Sequence, residues 1–405
     1  MNERIINSIL WTDLYKLTMG QGVFHRYPGV GASYEFINRG KHKYPKGFGE
    51  KLKNQVGMMS DLSLSTSDRK FLEDKCPYLA EDYLDFLSVY RFDPNEVNIK
   101  QEGGGLDIDI KGPWARTIYW EVPLMALVCE LYYTETNQTP DAGYILRARQ
   151  KGEMLRSAQA LLLEFGTRRA FSHKVHRNVL EALIATAGLL QDGGVLLGTS
   201  NIALAKEFNL NPSGTYAHEW VMGHAAIFGN LNANEKAMEV WAREYLGFDG
   251  GIAYPKLGTA LIDTYTAESF LHDLTLKMAK YFTFFRQDSG DPIEKGIKVV
   301  QRLAGLGIDP KSKGVAFTDG LNIPRAIKIN EYFKGSTQRV FGIGGDLTND
   351  VGVQAMNIVI KAYSFILPDG HKVQVCKLSD DRGKESGDPK AIEQAKIDFG
   401  LQGKR

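Results

Sequence analysis

FFRQDSGDP, residues 284–292, carries an apolar run straight into charge. Tyr281, Phe282, Phe284 and Phe285 predict a buried strand, after which Arg286, Asp288 and Asp291 crowd one loop. Asp291 suits an N-cap, Pro292 the first helical position, and Glu294 predicts a capping box. A strand that delivers a cation and carboxylates to a helix N-terminus builds a site for an anionic ligand and its metal.

The same rhythm recurs on both sides of this stretch. Apolar strands are expected to end at Phe165, at Gly198, near Asp263, at Arg286, at Phe317 and at Ile343. Helices fall between them, such as Ser172 to Leu190, closed by Asp192-Gly193-Gly194, and Ile293 to Leu306. Strand ends mostly recur every ~25 to 35 residues, about one βα unit. The interval from Gly198 to Asp263 is about double that and predicts one more strand. Short apolar strands alternating with helices imply a parallel sheet buried on both faces. Charged and glycine-rich residues follow the strands: Gly166, Arg168 and Arg169; Thr199, Ser200 and Asn201; Arg286 and Asp288; Asp319 and Gly320; Gly344, Gly345 and Asp346. In a barrel of this kind the C-terminal strand ends carry the active site. Count and spacing favour an irregular, TIM-like α/β barrel over a two-domain Rossmann arrangement, and no GxGxxG follows the first strand of this region.

The first third is mixed. Ser33 to Asn38 and Leu106 to Lys111 alternate like strands, and Asp68 to Tyr90 reads as helical. These segments predict an N-terminal α/β domain over 1–138. Thr139-Pro140-Asp141 is expected to cap a helix running to about Leu155. The barrel is expected over 139–350, with the tail 351–405 returning to the first domain.

The chain has 405 residues, 43% hydrophobic and 24% charged, with a net charge of +1. No bulk field favours nucleic acid or a membrane surface, so anion binding has to be local. The N-terminal residues MNERIINSILWTDLYK lack an apolar signal core, and the stretches Val122 to Cys129 and Leu183 to Leu190 are too short to span a bilayer. Cys76, Cys129 and Cys376 have no paired spacing, which fits a reducing cytoplasm and argues against a disulfide framework or a structural zinc site.

Several motifs carry candidate chemistry. EFGTRR (164–169) sets two arginines at a strand end; guanidinium forks suit phosphate or carboxylate, and solvated arginines at a helix-entering turn are the plain alternative. LLGTSN (196–201) is explained by capping alone. GTYAHEWVMGH (214–224) holds His218 in HExxxxH, not HExxH, so the i, i+4 zinc geometry is absent. His218 is then either a structural histidine or a nucleophile or acid/base. FGIGGDLTND (341–350) has glycines through which backbone N–H groups can approach a phosphate, and AFTDG (316–320) ends in an acid and a glycine. In WTDLYKLTMGQ (11–21), Asp13 is placed to cap a helix bearing Tyr15, Leu17 and Met19.

Taken together, TDLYKLTM, YEFINRG, EFGTRR, LLGTSN, GTYAHEW, RQDSGDP, FGIGGDLTND and VCKLSDDRGK, in this order, resemble the nicotinate phosphoribosyltransferase family along essentially the whole chain. The resemblance implies synthesis of nicotinate mononucleotide and diphosphate from nicotinate and 5-phosphoribosyl 1-diphosphate. It also implies ATP as co-substrate, Mg²⁺, and a role in NAD salvage. His218 matches the family's transiently phosphorylated histidine, with Asp288 as a second catalytic residue. Phe165 and Tyr15 match the aromatics that sandwich the pyridine ring, Tyr15 coming from the neighbouring subunit of a homodimer. Arg286 matches the residue facing the nicotinate carboxylate. Arg168, Asp288, Thr215, Asp319, Gly320, Gly344 and Gly345 match positions around the phosphoribosyl group and its phosphates. Ser200 stands where the nicotinamide-using relatives have an aspartate, and a neutral residue there favours the acid. The departure is Gly345-Asp346, since an acid beside a phosphate must point away or bind metal. No metal ligand set is implied beyond Mg²⁺ carried by the substrate diphosphate. The rival readings are a phosphoribosyltransferase using nicotinamide or quinolinate, and a catalytically inactive ligand-binding relative.

Overall fold

The computed structural model describes residues 3–381 and 383–402; Arg382, inside VCKLSDDRGK, lies outside the described residues. The chain forms two compact units. The first comprises Met1–Pro28, Ala32–Gly214 and Ile343–Lys361, the second Gly29–Gly31, Thr215–Gly342 and Ala362–Arg405.

In the first unit, strands Val97–Glu102 and Gly105–Pro113 form an antiparallel hairpin that pairs Ile99 with Ile108. Gly103 takes φ +55 in its turn, a conformation glycine adopts at little steric cost. Leu106, Ile108 and Ile110 are buried while Asp107 is exposed, so the period-2 pattern gives one dry and one wet face. Helix Glu121–Glu135 is apolar on every side and lies buried from Val122 to Cys129. A helix without a polar face belongs in a core. Strands Leu162–Glu164 and Leu196–Thr199 pair in parallel. Helices Tyr144–Ser157 and His173–Ala187 pack closely, and a Cβ at Gly152 would strike Thr186.

The second unit holds strands Thr259–Leu261, Phe284–Gln287, Gly314–Phe317 and Gln338–Ile343, paired in parallel in that order. The register sets Ala260 beside Phe285, Phe285 beside Val315, and Ala316 beside Val340. Helix Pro292–Gly305 buries Pro292, Gly296, Val299 and Leu303. Phe333 packs where a Cβ on Gly296 would sit, and its ring centroid is 5.5 Å from that of Phe317. Each such apolar side chain, fully buried, contributes roughly 1.5–3 kcal/mol. The two-residue strands Cys376–Lys377 and Ser386–Gly387 pair with each other.

The mixed α/β class stands, with parallel and antiparallel ladders. The first unit holds two parallel strands, the second four. Several local expectations are overturned. The added strand between Gly198 and Asp263 is not there. Among the described residues that interval holds helices Ile202–Glu207, His218–Phe228 and Ala233–Tyr245, and two successive helices account for its length. The predicted strand includes neither Tyr281, which ends helix Leu276–Tyr281, nor Phe282, which follows that helix; the Thr275 side chain caps the helix at its start. Asp68 to Tyr90 is two helices, Thr66–Lys75 and Glu81–Val89, parted at Cys76-Pro77 because proline has no N–H to give. Helix Tyr144–Ser157 begins after Gly143, while Asp141 accepts from the Gly143 N–H and pairs with Arg147. Glu294 pairs with Lys298 instead of closing a capping box.

Asp291 does cap helix Pro292–Gly305, accepting from the Glu294 N–H at 2.8 Å. Replacing Asp291 by Ala is expected to cost about 0.5–2 kcal/mol. The check is a lower urea midpoint with an unchanged slope.

Candidate active site

The second unit assembles a charged cluster at the C-terminal ends of its parallel strands. Burial alternates along Phe284–Gln287, with Phe285 and Gln287 buried and Arg286 on the opposite side. Asp288 follows at once. Thr318 follows strand Gly314–Phe317, Asp263 and Thr264 follow Thr259–Leu261, and His218 opens helix His218–Phe228. Arg286 donates through Nη2 to Asp288 Oδ1 at 3.0 Å and through Nε to Thr318 Oγ1 at 2.9 Å. The Thr318 hydroxyl donates to Asp288 Oδ1 at 2.7 Å. Asp288 Oδ2 lies 3.2 Å from His218 Nε2. The three residues the sequence analysis valued most, His218, Arg286 and Asp288, therefore meet in one place.

The tail adds a residue that the motifs did not assign. Lys377 Nζ lies 2.7 Å from His218 Nε2 and 3.1 Å from Asp263 Oδ2, which also accepts from the Ser289 hydroxyl. Of the two neighbours of Nε2, Lys377 can only donate and lies closer, at 2.7 Å, than Asp288, which can only accept, at 3.2 Å, so Nε2 turns its lone pair to Lys377. The ring proton then sits on Nδ1, 3.0 Å from Thr264 Oγ1; this tautomer follows from the partners. Burial, then the Lys377 charge, push His218 down to about 4. Burial opposes ionisation of Asp288, but Arg286, the His218 contact and Lys377 outweigh it and hold the carboxyl well below its usual range. Asp263 is lowered in the same way, with Lys377 as the strongest opponent of burial. The cluster is thus a buried, neutral imidazole whose electron pair faces Lys377 among fixed charges of both signs.

The other second-unit candidates lie apart from this contact set. The Thr215 hydroxyl donates to the Thr259 carbonyl at 3.1 Å. Asp319 accepts from Lys384 at 3.2 Å, and burial raises its pKa against that pull. Gly320 takes φ +54 in open space. Among the described residues, no three His, Cys, Asp or Glu side chains group to hold a metal.

The first unit holds the remaining candidates. Phe165 is half-buried, and its N–H donates to the Ile343 carbonyl at 2.9 Å. A Cβ on Gly344 would lie 2.8 Å from the Phe165 carbonyl oxygen, so glycine is required there by backbone approach. Gly345 meets no such crowding. Asp346 turns to Lys151, 3.2 Å away, which resolves the acid beside the glycine pair: its side chain has another partner. The Arg168 guanidinium lies 5.8 Å from the centroid of the Tyr15 ring of the same chain. Asp13 precedes helix Leu14–Arg26, but its side chain does not cap it. Its Oδ1 instead accepts from the Ser200 hydroxyl at 2.8 Å. Burial raises the Asp13 pKa, opposed first by Arg168. A carboxyl therefore stands behind the Ser200 hydroxyl. Glu164, fully buried, accepts from Thr199 Oγ1 and, at 2.8 Å, meets His176 Nε2, tying the two strand ends together.

Lys377, Asp263, Thr264 and Asp13 were missed as site residues. Lys377 lay within the quoted VCKLSDDRGK segment, the one signal available; Asp263 and Thr264 stood only at an expected strand end.

Charged groups at the ends of parallel strands, with a lone-pair imidazole at their centre, define an α/β enzyme site for anionic substrates. The model of the Nicotinate phosphoribosyltransferase (NAPRTase) family matches residues 160–402, and that of its N-terminal domain residues 10–129. A nicotinate phosphoribosyltransferase of Chromohalobacter salexigens is 44% identical over 97% of this chain and 98% of its own. One of Desulforapulum autotrophicum is 40% identical over 96% and 97%. The crystal structure of nicotinate phosphoribosyltransferase from Porphyromonas gingivalis superposes with a TM-score of 0.92 at 39% identity, covering 98% of this chain and all of that one. This chain belongs to the nicotinate phosphoribosyltransferase family.

Lys377 is one of the two influences that depress His218. Replacing Lys377 by Met is expected to raise the imidazole pKa, moving the acid-side loss of neutral His218 to higher pH. An NMR titration of the His218 ring between pH 4 and 8 checks the direction; an unmoved midpoint counts against the contact.

Proposed function

We propose that the chain joins nicotinate to 5-phosphoribosyl 1-diphosphate, giving nicotinate mononucleotide and diphosphate, with ATP hydrolysis coupled through a phosphohistidine at His218. Membership of the family supports the phosphoribosyl transfer. The observation that carries the ATP-coupled reading is the His218 imidazole, its proton held on Nδ1 by Thr264 and its Nε2 lone pair beside Lys377. A depressed pKa keeps that nucleophile unprotonated at neutral pH.

In the first half of the reaction, the Nε2 lone pair attacks the γ-phosphorus of ATP. A P–N bond forms, the P–O bond to ADP breaks, and ADP leaves with the electron pair. Lys377 is placed to offset charge on the transferring phosphoryl oxygens. In the second half, the pyridine nitrogen bonds to C1 of the ribose while the C1–O bond to diphosphate breaks. Water finally cleaves the P–N bond and releases phosphate. Arg286, fixed by Asp288 and Thr318, is the residue for the nicotinate carboxylate. Phe165 and Tyr15 stack on the ring; such stacking adds about 0.5–1.5 kcal/mol beyond burial. The carboxylates at the strand ends are engaged by cations and hydroxyls, and Mg²⁺ is assigned to the diphosphate. We also assign a homodimer in which Tyr15 serves the partner subunit, and a cytoplasmic setting suited to three buried, free thiols.

The deciding experiment is an assay of nicotinate mononucleotide formation with and without ATP, run beside nicotinamide and quinolinate. Nicotinate is expected to be used, faster with ATP, and without carbon dioxide release. His218→Ala is expected to abolish acid-labile phosphate on the chain after incubation with ATP; undiminished labelling removes the phosphohistidine. Arg286→Ala is expected to weaken nicotinate binding by about 1.5–3 kcal/mol, the range for a hydrogen bond to a charged group.

A further inference from the structure

Glu121 opens the buried helix of the first unit, and its side chain is only 8% exposed. Three side chains converge on it. Lys16 Nζ and the Tyr15 hydroxyl donate to Oε2 at 2.7 and 3.2 Å, and Arg168 Nη1 approaches Oε1 at 3.2 Å. Burial opposes the Glu121 charge, but Lys16, Arg168 and Lys361 overcome it and bring the carboxyl down to about 2. Lys16 is wholly buried, whereas the Arg168 side chain is 29% exposed. On its other side, Arg168 Nε lies 3.9 Å from Asp13 Oδ2. The guanidinium thus lies between two buried carboxylates, hydrogen-bonded to Glu121 and more distant from Asp13, with part of its side chain exposed.

We propose that Glu121 is a positioning residue, which holds the Arg168 fork in the geometry that receives the phosphoribosyl substrate. The proposal rests on the assignment of Arg168 to that substrate made above. A free arginine loses many rotamers when it meets a phosphate; one tethered through Nη1 has lost them beforehand, and the bidentate contact then forms at smaller entropic cost. Glu121 suits this task because its ionisation does not change in the neutral range, so the tether is constant.

A plainer role has to be separated from this one: Glu121 could serve only to neutralise the buried Lys16. Three variants do so against Arg168→Ala, each assayed at saturating ATP and nicotinate. Glu121→Gln removes the tether but leaves Lys16 without its carboxylate and is at risk of misfolding. Lys16→Met/Glu121→Gln removes both charges together, so no ammonium is stranded. Glu121→Asp keeps a countercharge for Lys16 but withdraws it from Arg168 by one methylene. All three, like Arg168→Ala, are expected to raise KM for 5-phosphoribosyl 1-diphosphate by roughly fivefold or more with kcat changed less than about twofold, the signature of lost ground-state positioning. A double variant with wild-type KM overturns the proposal, because neutralising Lys16 is then all that Glu121 does. If Arg168→Ala leaves KM unmoved, the assignment of Arg168 fails, and that result is distinguishable from a failure of the tether alone.

Discussion

The contact between Lys377 and His218 governs the second unit. A buried ammonium 2.7 Å from an imidazole nitrogen cannot face a second cation, so the ring stays neutral and turns its lone pair inward. Burying that ammonium is itself costly without counter-charge. Asp263, at 3.1 Å, supplies it, and Asp288, itself 3.2 Å from the same nitrogen, balances Arg286. Arg286 lies within a parallel strand, Asp263 and Asp288 follow strand ends, and Lys377 is on the short tail strand, so the β-register sets the electrostatics. Slipping Phe284–Gln287 by a residue would turn Arg286 to the buried side that now holds Phe285 and Gln287.

The first unit solves the converse problem. Its buried centre is an anion, Glu121, with cations and a phenol gathered around it, and Asp13 lies across the Arg168 guanidinium. Glu164 is a second buried anion, stabilised in spite of burial by His176 first and then by its hydroxyl and N–H donors. Both carboxylates serve groups at the ends of strands or helices, leaving Phe165, Arg168 and Tyr15 in fixed places. The need for close backbone approach at Gly344 belongs to the same economy, since a side chain there would displace Phe165.

Much of this was legible in the chain. The apolar runs ended close to where they were expected, because strand ends punctuated by charge and glycine are local features. Arg286 and Asp288 sit two residues apart across one strand end, and Asp291 begins a helix beside them, so their association needed only local geometry. Tyr281 went wrong because an aromatic run does not distinguish a strand from the last turn of a short helix. The strand expected between Gly198 and Asp263 failed because interval length alone does not distinguish an added strand from successive helices, and His218–Phe228 and Ala233–Tyr245 fill that length. Asp346 was expected to point away from a phosphate or bind metal; its partner Lys151, far back in the chain, could not be named from the sequence.

What the sequence determined by itself was the α/β class, the strand ends that bear chemistry, and the candidate residues near them, since each is encoded within a few neighbouring positions. What only the tertiary structure decided was which of those residues act on one another. Lys377 is 159 positions from His218, Asp13 is 187 from Ser200, and Glu121 is 106 from Tyr15. Such pairs leave no periodic trace in a single chain. Their energies depend on burial and on distances of about 3 Å, quantities that exist only once the strands have paired and the helices have packed.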